Sequence, residues 1–333
     1  MISRTLSLLA RMVRPRVAIT MWTFMIIGVA RHSGPTVSLD LLAATIALAA
    51  SYAVATSLND IADVEIDRTN GLRDRSRPLV LGAADPGDLR RTAGLAAGVA
   101  AVAAVPLGAA GLGVIGLCLA VDFFYSAGPM RLSRRWTLAP IALTVAYVAL
   151  PYWLGIVVAH SSWSLVDAGL LLGLCVLFFA RIILKDIRDR LGDAAHGKPT
   201  ALLRLGKRAT CAVSVAGAVA GTAILVVGVA GPPAVSLVLV AAGTAIVWML
   251  VRLCRTDDAA LEQVAIGTAA RAGNAMLITI IAWLLLLGQH ATTSQVSTFV
   301  LALGAMFAAS FLSLALHPER VRIAYKAPPQ RAG

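Results

Sequence analysis

Asp60, Asp63 and Asp67 stand at i, i+3 and i+7 in the stretch SLNDIADVEIDRTNG, and Asp186, Asp189 and Asp193 repeat the interval in ILKDIRDRLGDAAHGKPT. At the helical angle per residue, each trio projects within about 60° on one face, whereas Glu65 falls well away from its neighbours. Six carboxylates gathered in one place repel one another and raise each other's pKa, so the pattern calls for cations. Hard divalent ions take oxygen ligands, and Mg²⁺ in particular combines a few carboxylates with substrate phosphate. Basic residues run through both stretches: Arg68, Arg73, Arg75 and Arg77 in the first, Lys185, Arg188 and Lys198 in the second. Arginine forks phosphate oxygens and lysine adds a point charge, which suits a diphosphate. One such stretch is ordinarily a solvated helix face paired with its own arginines. Two copies in matching phase argue for a site.

The elements that must hold these residues are membrane helices. The 333-residue chain is 59% hydrophobic and 14% charged, with mean hydropathy +0.82, against about 25% charge in a soluble domain. Ten apolar runs near the length of a bilayer span can be read: roughly 15–31, 40–58, 90–108, 110–126, 138–159, 165–183, 209–230, 233–252, 272–288 and 297–316. Alternating strands of a barrel are absent, which leaves helices as the way to satisfy the backbone in lipid. The acidic stretches follow the second and sixth runs, so both emerge on one side of the membrane. With a cytoplasmic N-terminus, 28 of the 29 Lys and Arg fall on the inner side and only Arg31 outside. The net charge of +12 therefore reads as topology and attraction to anionic lipid rather than nucleic-acid binding. The reading is a multi-pass integral membrane protein with both termini and both acidic loops cytoplasmic.

Residues 1–14 lack the long apolar run and cleavage site of a signal peptide. Leu6, Leu9, Met12 and Val13, set against Arg4, Arg11 and Arg14, predict a short helix lying in the interface. The expected organisation is thus an interfacial helix (1–14), a helical bundle (15–290), an additional membrane helix (291–316) and a cytoplasmic tail (317–333). Four scattered cysteines and five scattered histidines form no metal-binding spacing.

The motifs resemble those of the UbiA superfamily of intramembrane prenyltransferases. Asn59-Asp60-x-x-Asp63-x-x-x-Asp67 is similar to its first acidic box, and Arg77-Pro78-Leu79 to the segment that follows. Lys185-Asp186-x-x-Asp189-x-x-Gly192-Asp193 is similar to the second box. Tyr125-Ser126-x-x-Pro129-x-Arg131 resembles the family's tyrosine segment with one residue extra. The resemblance covers roughly residues 15–290. It implies an all-α bundle of nine helices around a central cavity, with the run at 297–316 as a tenth. It also implies two Mg²⁺ ions and a polyprenyl diphosphate whose tail leaves sideways into lipid.

On this basis the expected metal ligands are Asp60, Asp63, Asp67, Asp186, Asp189 and Asp193. Asn59, Arg77, Arg131 and Lys185 are the expected diphosphate contacts. Ionisation of the allylic diphosphate, stabilised by these charges, would release a cation for a small-molecule acceptor of aromatic type. Asp122 and Tyr125, one helical turn apart near the end of the fourth run, are candidates for the catalytic pair. An acid at membrane depth is functional by default, and a tyrosine face can steady a cation; the ordinary alternative for Asp122 is an ion pair with Arg131 or Arg135. Two other functions fit parts of the pattern. A terpene cyclase would use the same ionisation without an acceptor. A cation transporter would carry intramembrane acids in repeated halves, but here the acids lie at one membrane surface.

Overall fold

The computed structural model describes residues 2–33, 37–71 and 77–316, and every regular element among them is helical. Arg73, Arg75 and the tail 317–333 lie outside the described residues. The elements are α1 (Ile2–Met12), α2 (Pro15–His32), α3 (Leu39–Ala62), α4 (Val64–Thr69), α5 (Pro86–Ala104), α6 (Gly108–Ser126), α7 (Leu138–Thr144), α8 (Leu150–Val158), α9 (Leu165–Ile182), α10 (Lys185–Ala195), α11 (Ala201–Val229), α12 (Pro233–Arg255), α13 (Ala259–Gly288) and α14 (Thr293–Leu316). A π-helical segment, Val145–Ala149, joins α7 to α8 in one span.

Among the described residues, eight stretches are long and apolar enough to cross a membrane, or nine when the bent pair α1–α2 is taken as one. One of the eight, Pro86–Ser126, has 41 residues, and as a single straight helix it would reach about 60 Å, twice a bilayer core. The turn Val105–Leu107, containing Pro106, and Gly108 at φ 68° divide it into α5 and α6, which contact one another. The chain is a multi-pass, all-helical membrane protein.

The chain forms two compact units, Met1–Ser164 with Asp189–Thr200, and Leu165–Arg188 with Ala201–Gly333. In the first, α3 is the central element and receives α5 and α6, while α2 crosses α8. Gly28 and Gly155 make that crossing possible, because a Cβ on Gly28 would collide with the Tyr152 carbonyl and one on Gly155 with the Met25 carbonyl. Small residues let membrane helices approach this closely, where lipid gives no hydrophobic push between them. The apolar face of α1 packs on protein toward its C-terminal end, while Leu6 stays exposed. Met12 is fully buried among Ala53, Leu79, Leu89 and Ala93, and its carbonyl accepts a 2.6 Å hydrogen bond from Thr56 Oγ1.

In the second unit α9 lies along α11, α11 along α12, α12 along α13, and α14 touches both α12 and α13. Gly221 of α11 sits so near Leu177 that a Cβ would come within 2.9 Å of its backbone nitrogen. Several helices extend beyond the runs read from sequence: α5 begins at Pro86, α11 at Ala201 and α13 at Ala259, so that Arg271 lies inside a helix continuous to Gly288.

Candidate active site

The first acidic trio is not carried by one helix. α3 ends at Ala62, Asp63 occupies the break with φ −114° and ψ 15°, and α4 starts at Val64. The single-face projection expected from the spacing therefore gives way to a helix–break–helix. All three carboxylates are nevertheless buried, with exposures of 2% for Asp60, 5% for Asp63 and 6% for Asp67. Burial without charge compensation would be costly, and cations supply the compensation. Asp60 Oδ1 accepts from Arg14 Nη2 at 2.7 Å and from Arg77 Nη1 at 2.6 Å. Arg77 also pairs with Asp67. Glu65, by contrast, is exposed and pairs with Arg68 at 2.5 Å.

The later half of the second acidic stretch belongs to the same unit and is interlocked with the first. Lys198 Nζ donates to Asp63 Oδ2 at 2.7 Å and lies 3.9 Å from Asp193 Oδ1. The Gly192 N–H donates to Asn70 Oδ1 at 2.7 Å, and Thr69 Oγ1 lies 2.9 Å from His196 Nε2. Gly192 is obligatory for this approach, since a Cβ would stand 2.5 Å from the Ile66 carbonyl and 2.6 Å from Asn70 Nδ2. Asp193 is buried at 2% exposure, Asp189 is partly buried, and Lys185 and Asp186 open α10 in the other unit. Asn59 is partly exposed at the last turn of α3, and its carbonyl accepts the Asp63 N–H.

Burial pushes the Asp67 carboxyl up to about 6; Arg77 opposes this, while Asp60, Asp63 and Asp189 add to it. Two carboxylate oxygens, Asp60 Oδ2 and Asp63 Oδ1, are buried with no hydrogen-bond partner among the described residues. A buried anionic oxygen left so is expensive unless a cation meets it. No three Asp, Glu, His or Cys among the described residues are grouped closely enough to hold a metal by themselves.

Arg131, in the left-handed conformation at φ 38°, donates from Nη2 to the Ala62 carbonyl at 3.0 Å. It thereby caps the open end of α3 beside Asp63. The extra residue in the tyrosine segment therefore leaves this arginine next to the acidic box. Asp122 does not pair with Arg131 or Arg135: Arg135 Nε donates to the Met130 carbonyl, and Asp122 Oδ2 accepts from Ser51 Oγ at 2.7 Å. Ser51 precedes Asp60 on α3 by nine residues, an axial rise of about 14 Å, so this pair lies well below the acidic box. Tyr125 is buried one turn on, and Tyr52 meets Tyr147 edge to face at 5.7 Å. Tyr147 sits in the π-helical segment, a feature frequent at functional sites. Arg14 and Ser51 were not legible as site residues, being 46 and 71 positions from their partners.

The first unit thus gathers buried carboxylates, the basic side chains paired with them, and two carboxylate oxygens without a partner among the described residues. Residues 18–269 match the UbiA prenyltransferase family, and the chain belongs to that family. Among curated proteins no sequence matches it. Its fold is similar to that of the digeranylgeranylglyceryl phosphate synthase studied in membranes, with TM-score 0.65 and 16% identity over 84% of this chain and 99% of that one. A UbiA homologue from Archaeoglobus fulgidus bound to GPP and Mg²⁺ gives TM-score 0.57 and 13% identity over 91% and 99%. The apo structure of a UbiA homologue from Aeropyrum pernix K1 gives 0.59 and 18% over 82% and 98%.

Proposed function

We propose that the chain is a Mg²⁺-dependent prenyltransferase that ionises a polyprenyl diphosphate within the membrane and passes the prenyl group to an aromatic acceptor. The observation that carries the reading is the interlocking of the second acidic stretch with the first around Asp60 and Asp63, each with an oxygen still unsatisfied. Asp60, Asp63, Asp67, Asp186, Asp189 and Asp193 would hold Mg²⁺, whose chemistry when bound is to neutralise charge on the departing diphosphate. Arg77, Arg131 and Lys185, with Arg14 and Lys198 added by the geometry, would turn toward phosphate oxygens as these arrive. Asn59 would offer its amide to the same group. The surrounding apolar helices exclude water while the allylic C–O bond breaks. Binding of GPP and Mg²⁺ by the Archaeoglobus relative supports this donor class. The distribution of Lys and Arg supports a cytoplasmic face for the acidic loops. Family membership weighs against a cation transporter.

The test is to incubate the purified protein with geranyl, farnesyl and geranylgeranyl diphosphates, Mg²⁺ and a panel of aromatic acceptors. Diphosphate release that needs Mg²⁺ and disappears in Asp60→Ala is the expected result; Mg²⁺-independent release would overturn the reading. One observation favours a second reading, cyclisation. The Ser51–Asp122 pair lies about 14 Å along α3 from Asp60, deeper than a C1 acceptor requires and suited to taking a proton from a carbocation farther along the chain. Asp122 and Tyr125 act there either on the acceptor or on that cation. A cyclic hydrocarbon formed without acceptor, and lost in Asp122→Asn, would favour cyclisation.

A further inference from the structure

Helices α12, α13 and α14, the last of them beyond the residues matched by the family, line a partly open cavity of about 490 Å³, within the 300–1,000 Å³ range of small-molecule sites. Its walls are apolar and small, including Ala242, Ala245, Ala275 and Gly304, and only two lining residues are polar, Arg271 and Ser310. Arg271 stands twelve residues into α13, about 18 Å from its start. It makes no hydrogen bond or ion pair among the described residues. No Asp or Glu lines the cavity, and the nearest acid along α13, Glu262, is already paired with Lys207 at 2.7 Å. The side chain runs back along its own helix, with Nη1 3.6 Å from where a Cβ on Gly267 would lie. Ser310, on the opposite wall, precedes the end of α14 at Leu316 by six residues, about 9 Å. The guanidinium is thus aimed toward the membrane surface at the α12–α13 turn, while its stem lies against an apolar chamber.

Arg271 lines this cavity and is exposed, and a cationic head beside apolar walls near a membrane surface suits an anion. The occupant must carry a negative charge near the surface and a long apolar tail below it. We propose that this cavity binds one anionic glycerophospholipid, its phosphate held by Arg271 and Ser310 and an acyl chain lying along Ala242, Ala275 and Gly304. Basic pockets between membrane helices bind anionic head groups in this way. The tenth helix then closes a lipid site that α12 and α13 alone would leave open.

The test uses the full chain in nanodiscs containing equal phosphatidylglycerol and phosphatidylcholine, followed by detergent extraction and native mass spectrometry. One phosphatidylglycerol should remain per chain, with about a fivefold preference over phosphatidylcholine. Arg271→Ala should abolish the preference and Arg271→Lys should retain part of it. Ala242→Phe, which fills the chamber and keeps the charge, should lose the bound lipid. Each variant is checked for monodispersity and for Mg²⁺-dependent diphosphate release, which should be unchanged. Equal retention of the two lipids by the wild type, or undiminished phosphatidylglycerol on well-folded Arg271→Ala, would show an arginine reaching bulk head groups only and would overturn the proposal. So would lipid retention unaffected by Ala242→Phe.

Discussion

The two acidic stretches share one spacing and are built in two ways. In the first, the helix breaks at Asp63 and all three carboxylates face protein cations. In the second, α10 runs unbroken from Lys185 to Ala195 and engages α4 through Gly192, Asn70 and Lys198. The first resembles a socket and the second a key. Equal intervals in the sequence therefore do not mean equal geometry: the break lets a carboxylate at i+3 turn inward, whereas the intact helix can bring close only residues on its docked face.

This contrast can be broken by substitution. The largest loss is expected from Asp60→Ala, about 10³-fold in diphosphate release, because Arg14 and Arg77 both rely on this carboxylate. If the socket tolerates that change, it is not the reacting end. Gly192→Val should cost about 10–100-fold, the range for residues that position metal ligands; it inserts carbon against the Ile66 carbonyl, and a rise in the Mg²⁺ concentration needed for half-activity would show that docking is what fails. Lys198→Ala should lower activity about tenfold, and Lys198→Arg should restore part of it. Glu65→Gln should leave activity within about twofold of wild type, since surface pairs contribute little.

The smallest effect concerns pH. The Asp67 carboxyl is raised to about 6, so the metal-free fold binds a proton there more tightly than the unfolded chain. That contribution favours the fold at low pH and is lost as pH rises from the ordinary carboxylate range through about 6. The thermal midpoint of metal-free protein should fall over this window relative to Asp67→Asn, and Mg²⁺ with a diphosphate should remove the difference. Parallel pH profiles for the two proteins would contradict the burial of this group.

Much of this was readable in advance because it depends on intervals and composition. Apolar length gave the helices, and repeated aspartates with their flanking motifs gave the family. Contacts across long sequence separations were not readable. Arg14 appeared to belong to a surface helix, yet it reaches Asp60. Nothing in the local pattern around Ser51 announces that it donates to Asp122. The start of the ninth run was read too late because Arg271 lowers the hydropathy of any window containing it, although α13 begins at Ala259.

Arg14 has one more implication. It sits in the bend between α1 and α2, while Thr56 holds the preceding carbonyl of Met12. The helix expected to rest on the interface is also a strut, and trimming residues 1–13 would loosen the guanidinium that pairs with the buried Asp60 carboxylate. An engineer shortening this chain for expression should expect to damage turnover before solubility.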